Sequence, residues 1–291
     1  MAGIALAVLG GSGFYDMPGL DAVEEFAPET PFGPPSAAIR VGTIAGQRVA
    51  FLARHGHGHR LLPSEIPQRA NFWALKSLGV ERVLSVSAVG SLREDYRPGD
   101  VVVPDQLIDR TRGIRPSTFF GDGVVAHIAF ADPFCPAMRQ AALYSASATG
   151  ARAHSGGSYI VIEGPAFGTR AESELYRRWG ASVVGMTALP EAKLAREAEL
   201  CYAILAAVTD YDAWHEHHEA VDARSVFEVL ARNVATSQEA IRHAVPALAG
   251  LRACTCRATL DAALVTSPGA ISAEARARLG PILSRRLGET A

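Results

Sequence analysis

Two carboxylates stand at alternate positions in Thr209-Asp210-Tyr211-Asp212, directly after the apolar run 203–208. Residues just past the end of a buried strand project near one place, so we expect the two side chains to share a site. A carboxyl group that is partly buried has a raised pKa and can act as a general acid at neutral pH. The pair could instead hold a divalent cation, or cap a helix that follows.

A basic segment, RHGHGHR at 54–60, closes another apolar run. Sheets place ligands at such strand ends, where Arg54 could grip two phosphate oxygens and His55 could donate a further hydrogen bond. Histidines at alternate positions also suggest a metal, but ligation needs converging nitrogens and the glycines indicate a loop. The pattern favours phosphate over a metal site or a merely exposed loop.

Two more strand ends carry small and hydroxyl residues. GGSG at 10–13 could turn sharply and present N–H groups to an anion, with the Ser12 hydroxyl as a further donor. It is not G-x-G-x-x-G and no helix follows, so an ordinary tight turn is the alternative to a ligand site. In SVSAVGSL at 85–92, Ser87 and the Ala88 N–H are donors beside small side chains.

An aromatic ring stands in the glycine-bounded loop EGPAFGTRAE at 163–172. Phe167 is a candidate to stack on a planar base, and the alternative is a ring that caps the edge of the core. The loop leads through Gly185-Met186-Thr187 toward another helix.

These clusters all follow short apolar runs that alternate with helical patterns. The predicted strands are 4–9, 49–53, 83–87, 159–162, 183–185 and 203–208. The predicted helices are 66–78, 135–148, 171–179, 189–199 and 223–243, with a final helical tail over 272–287 whose charges form a solvated face. This alternation predicts a single α/β domain over residues 1–291, with a mixed or mostly parallel sheet and helices on both faces.

Composition narrows the function classes. The chain has 291 residues, 48% of them hydrophobic, so it can bury a large core. Its net charge is −2. It has no block of lysine and arginine, which argues against nucleic acid or a membrane surface as partner. No secretory leader pattern or membrane-spanning run is present, and we expect a cytoplasmic protein.

The four cysteines do not form the pattern of a secreted disulfide framework. Cys135 and Cys201 lie in apolar surroundings and are predicted to be core residues. Cys254 and Cys256 form a C-x-C that would need a second pair to bind zinc. Free thiols are expected there, with a disulfide as the alternative.

With these residues in view, the chain resembles the methylthioadenosine phosphorylases of the purine nucleoside phosphorylase superfamily from residue 4 to about 245. The resemblance rests on the following segments: GGSGFYDMPGL (10–20), RHGHGHRLLPSEI (54–66), NFWALKSLGVERVLSVSAVGSLREDYRPGD (71–100), DRTRGIRPSTFF (109–120), ADPFCP (131–136), RAESELYRRWGASVVGMT (170–187) and AVTDYDAWHE (207–216).

The resemblance implies a role for each matching residue. The implied phosphate site consists of Ser12, Arg54, His55, Ser87, the Ala88 N–H and Thr187. Met186 would lie against the ribose and Phe167 would face the base. Asp210 would act at purine N7 and Asp212 would accept from the 6-amino group. The 5′-substituent would meet Val226, Phe227 and, from the adjacent subunit, His127.

The resemblance also implies a partly barrelled mixed sheet, a homotrimer or a dimer of trimers, and phosphorolysis without a metal or organic cofactor. Phosphate would be both the nucleophile and the counter-charge of a cation-like ribose. Relatives selective for 6-oxopurines carry Asn at the position of Asp210, so this Asp favours a 6-amino base. Ala166, Gly168 and His57 depart from the usual pattern, which leaves room for adenosine or methylthioinosine as substrate.

Two other functions compete with phosphorolysis. A nucleoside hydrolase would activate the base in the same way but use water, and the cluster of phosphate-binding side chains would then have no role. A purine-binding module without activity would not need both carboxylates, and both are present.

Overall fold

The computed structural model describes residues 3–4, 6–11, 13–14, 17–215, 223–251 and 254–288, and for residues 223–228, 230 and 249 the backbone alone. Within these ranges the chain forms eleven strands and eight α-helices. The strands are β1 (Leu6–Gly10), β2 (Asp21–Phe26), β3 (Ile39–Ile44), β4 (Gln47–Ala53), β5 (Arg82–Ser91), β6 (Val101–Val103), β7 (Gln106–Arg110), β8 (Ala153–Ser155), β9 (Ser158–Ile162), β10 (Val183–Gly185) and β11 (Cys201–Asp210). The helices are α1 (Gln68–Ser77), α2 (Pro136–Ala148), α3 (Arg170–Arg178), α4 (Ala188–Glu197), α5 (Ala223–Ala249), α6 (Thr259–Ala263), α7 (Ala273–Leu279) and α8 (Ser284–Leu287).

The strands join into one mixed sheet. Its main path is β2-β3-β4-β1-β5-β10-β9-β7, while β11 pairs with β5 and with β6, which in turn pairs with β8. β1 is parallel to β4 and β5, and β11 is parallel to β5, whereas β10 is antiparallel to β5. The predicted α/β fold with a central mixed sheet is confirmed.

Both faces of the central strands are buried, which explains why they are continuous apolar runs in the sequence. Leu6 and Val8 of β1 point into one core cluster, which α2 and α5 cover. Ala7 and Leu9 point into the other, which receives side chains from α1, α4 and the C-terminal segment. Successive side chains of a strand alternate between the faces, so each strand end is held from both sides.

The six strands and five helices expected from the sequence are present, with ends that differ by a few residues. Strands β2, β3, β6, β7 and β8 were missed. β2 is exposed along its length and carries acidic residues, and β6 and β8 have three residues each, so none of these shows the pattern of a long buried strand.

The helical tail predicted over 272–287 is divided into two short α-helices in the structure. Helix α7 ends just before Gly280, which has a positive φ of 36° and is followed by Pro281. α7 and α8 are therefore separate short helices. The segment is not only a solvated face either, because Leu279, Ile282 and Leu283 are buried in the core. The assignment of residues 1–291 to one domain stays a prediction.

Candidate active site

The centre of the sheet contains a gap along one edge of β5. β1 pairs with residues 83–85 of β5 and β10 with residues 90–91, while β11 occupies the other edge. Among the described strands, none pairs with residues 86–89 on the first edge, and these four residues line a cavity of about 360 Å³. A cavity of this size suits a small molecule. Its lining includes most of the predicted site residues: Arg54, His55, Ser87, Ala88, Phe167, Met186, Thr187, Asp210 and Asp212.

Arg54 follows β4 and is almost completely buried, with 2% of its surface exposed. Its Nε donates to the carboxylate of Glu191, its Nη1 donates to the Val86 carbonyl at 3.0 Å, and its Nη2 donates to the Leu9 carbonyl at 3.0 Å and the Ser85 hydroxyl at 2.5 Å. A guanidinium has five N–H donors, so these contacts leave one of them for a ligand. The two-oxygen grip on phosphate expected from the sequence therefore does not fit this geometry.

Glu191, on α4, lies beneath the site and was given no role from the sequence. Its side chain is fully buried and accepts hydrogen bonds from Arg54, from the Ser85 hydroxyl at 2.9 Å and from the Tyr202 hydroxyl at 2.8 Å. A buried carboxylate needs partners of this kind to offset its lost hydration. A glutamate within the otherwise apolar start of a helix was the available signal for it.

Three hydroxyl groups meet beside the gap along the edge of β5. The Ser87 hydroxyl lies 2.9 Å from the Tyr159 hydroxyl and 3.2 Å from that of Thr187. Burial raises the pKa of Tyr159, so its hydroxyl stays protonated and can donate. Tyr159 reaches this point because residue 185 is glycine: a Cβ there would stand 2.1 Å from the Tyr159 oxygen.

His55 is held as a neutral ring. Its Nδ1 lies 2.8 Å from the Leu61 carbonyl, which can only accept, so Nδ1 carries the hydrogen. Burial and the nearby charge of Arg54 lower the His55 pKa to about 4. The Nε2 atom is then a hydrogen-bond acceptor at neutral pH and suits a ligand O–H, which differs from the donor role expected from the sequence.

This burial predicts a loss of stability in acid. In the unfolded chain His55 titrates near 6.5 and in the folded chain near 4, so between these values only the unfolded state binds the proton. The free energy of unfolding should fall by about 2 kcal/mol from pH 7 to pH 5 because of this residue.

The measurement is urea unfolding at both pH values for the native protein and for His55→Gln, at equal protein concentration. Burial raises the pKa of Glu197 to about 7, which has the opposite effect, but that residue is present in both proteins and cancels in the comparison. Equal changes with pH in the two proteins would contradict the neutral, buried ring.

The carboxylate pair lies at the end of β11, on the far side of the same cavity. The Asp210 carboxylate accepts from the Thr209 hydroxyl at 2.7 Å and from the Asp212 N–H at 2.8 Å, which fixes its direction. Asp212 is 8% exposed, and burial together with the charge of Asp210 raises its pKa. Gly90 leaves room for the pair, since a Cβ there would lie 3.0 Å from an Asp210 oxygen.

Part of the cavity wall is apolar. Met186 and Phe167 line it together with Val184 and Ile162, and 42% of the Phe167 side chain is exposed. Arg115, from the long loop at 112–122, braces this wall by donating to the carbonyls of Met186 at 2.6 Å and Leu189 at 2.8 Å. Its role was missed because these contacts join residues far apart in the chain.

Four predicted residues are not placed in the cavity. Ser12 lies outside the described residues, and so do the side chains of Val226 and Phe227, whose backbone belongs to α5. His127 is exposed and does not line the cavity of its own chain. Its contribution from an adjacent subunit stays a prediction.

Known proteins are similar to this chain in sequence and in fold. The family model of the phosphorylase superfamily matches residues 5–246. The chain is 56% identical to an S-methyl-5′-thioadenosine phosphorylase of Chloroflexus aurantiacus, across 98% of this chain and 99% of the relative. It is 52% identical to one of Geobacter sulfurreducens, across 96% of this chain and 97% of the relative.

Solved structures agree in fold. A methylthioadenosine phosphorylase from an antarctic soil metagenomic library has a TM-score of 0.93 and 47% identity, covering 97% of this chain and all of that one. A methylthioadenosine phosphorylase of Schistosoma mansoni in complex with adenine has a TM-score of 0.84 and 36% identity, covering 89% and 98%.

Proposed function

The chain belongs to the phosphorylase superfamily, and from that premise we propose that it cleaves S-methyl-5′-thioadenosine with inorganic phosphate, giving adenine and 5-methylthioribose 1-phosphate. The observation that carries the proposal is one cavity with an arginine and hydroxyl cluster at one end and a carboxylate pair at the other. Phosphate fits the first end and a 6-aminopurine fits the second.

At the phosphate end, the backbone edge of residues 86–89, the Ser87 and Thr187 hydroxyls and the remaining Arg54 N–H are the donors. The neutral His55 Nε2 accepts the O–H of a protonated phosphate. A phosphate oxygen forms a bond to C1′ while the bond from C1′ to N9 breaks, and its electron pair goes to the base. Held in this position, the phosphate also stabilises the positive charge that develops on the ribose.

At the base end, the departing purine gains a proton at N7, and the carboxyl pair supplies it. Burial and the charge of Asp210 raise the pKa of Asp212, and Asp210 is oriented by two donors. Carboxylate oxygens accept from a 6-amino group, whereas a 6-oxo group would place acceptors against each other. Met186 would contact the ribose and Phe167 the face of the base.

The 5′-substituent, the assembly and the location are further parts of the proposal. Val226 and Phe227 of α5 and His127 of a neighbouring subunit would surround the methylthio group, and a homotrimer or dimer of trimers would bring them together. The reaction itself requires no metal or organic cofactor. Within the described residues no helix is both long and apolar enough to cross a membrane. A cytoplasmic location remains part of the proposal.

The test is a nucleoside panel assayed with and without phosphate, with free base and sugar phosphate as readouts. We expect adenine release that depends on phosphate and a higher kcat/KM for methylthioadenosine than for adenosine. The reason is that burying a 5′-hydroxyl without a partner costs about 1–3 kcal/mol.

Each other outcome favours a named alternative. Base release in phosphate-free buffer would indicate a hydrolase, and binding without turnover would indicate a purine-binding module. Equal or reversed preference would indicate an adenosine phosphorylase, and a preference for methylthioinosine would overturn the assignment of the base site.

A further inference from the structure

All four cysteines of the chain come together at one place, away from the cavity. Cys135 precedes α2, Cys201 opens β11, and Cys254 and Cys256 lie at the start of the 3₁₀ turn Thr255–Ala258 before α6. Their four Sγ atoms all lie within 4.8 Å of one another. The C-x-C therefore has the second pair that the sequence alone did not reveal.

The spacing of the sulfurs matches the size of a metal–thiolate centre. A tetrahedral zinc ion with Zn–S bonds of about 2.3 Å separates its sulfurs by about 3.8 Å. The Sγ atoms of Cys135 and Cys254 are 3.8 Å apart, and those of Cys201 and Cys254 are 3.0 Å apart. A shift of less than an ångström would bring the closer pair to the tetrahedral distance.

The surroundings suit a bound ion. Cys135, Cys201 and Cys256 are buried, while Cys254 is partly exposed and gives an ion a path from solvent.

We propose that Cys135, Cys201, Cys254 and Cys256 bind one soft divalent metal ion, with zinc as the best match, in a closed four-sulfur site. Each thiol that binds loses its proton to solvent, so one Zn²⁺ and four thiolates leave a centre of net charge −2. With four protein ligands no coordination position stays open, so the ion is structural and takes no part in the reaction. It would tie the segment before α6 to the start of β11 and to α2.

The experiment uses the full-length protein, purified with a reductant and stripped of metal by a chelator. Titration with Co²⁺ should reach one ion per chain and give the visible d–d bands and thiolate charge-transfer absorption of tetrahedral cobalt. One equivalent of Zn²⁺ should then remove these bands. Elemental analysis of protein expressed with zinc in the medium should give one zinc per chain.

Variants separate the site from weaker binding elsewhere. Cys254→Ser and Cys256→Ser should each weaken cobalt binding at least tenfold, whereas Ser147→Ala on the exposed side of α2 should bind like the native protein. If a variant does not fold, the cobalt titration of the native protein decides whether the site exists. Absence of stoichiometric cobalt binding by the reduced native chain would overturn the proposal, as would intact mass showing disulfides among these cysteines in protein isolated with zinc present.

Discussion

Asp210→Asn should lower kcat/KM for methylthioadenosine by about two orders of magnitude or more and raise the relative activity on methylthioinosine. The amide keeps one oxygen to accept from the Asp212 N–H, which now receives a bond of 2.8 Å, so the local turn should persist. Its NH₂ group replaces an acceptor with a donor. A 6-amino group then meets a donor, while a 6-oxo group gains a partner.

The measurement is kcat/KM for the two nucleosides in the native and variant enzymes. Asp95→Asn is the matched control, because Asp95 is exposed, pairs with Arg93 and does not line the cavity. It should leave both values unchanged. A native enzyme that prefers the 6-oxo substrate, or a ratio that does not move in the variant, would remove Asp210 from the base site, and Ala166 and Gly168 would be examined next.

Arg54→Gln should lower the free energy of unfolding and also weaken phosphate binding. Losing the guanidinium leaves the buried Glu191 carboxylate without its charged partner, which costs about 3–5 kcal/mol. Losing the one N–H that Arg54 has left for a ligand should raise the phosphate KM by about ten- to a hundredfold, the value of a charge-assisted hydrogen bond.

The double variant Arg54→Gln with Glu191→Gln separates the two effects. It removes both buried charges, so urea unfolding should show part of the stability restored while the phosphate KM stays high. Arg93→Gln, which breaks an exposed ion pair, is the control and should change neither quantity by much. A folded variant with native phosphate dependence would exclude Arg54 from the phosphate site.

The fold and the site could be predicted from the sequence where a local pattern coincides with a local function. β5 and β11 are long runs buried on both faces, and Ser87 and Asp210 could be noticed because they lie where those runs give way to polar residues. β2 could not be found, because an exposed strand with acidic residues lacks an apolar face.

The missed site residues share a different cause. Glu191, Tyr159 and Arg115 act through partners that are distant in sequence: Glu191 lies 137 positions from Arg54, and Tyr159 lies 72 positions from Ser87. Spacing along the chain carries no information about such contacts. The same limit hid the four-cysteine cluster, whose members come from three separate segments.

The stretch of β5 that lacks a partner strand on one edge also affects the risk of aggregation. An open strand edge offers unpaired N–H and C=O groups to any other chain, which makes long free edges a risk for aggregation. Here the open stretch is only residues 86–89, closed at one end by β1 and at the other by β10. A foreign strand has no length along which to pair, whereas a small anion fits. The outer edge strand β2, by contrast, carries Asp21, Glu24 and Glu25, whose charges discourage strand addition. The fold thus keeps unpaired backbone N–H and C=O groups available to a ligand without offering them to neighbouring proteins.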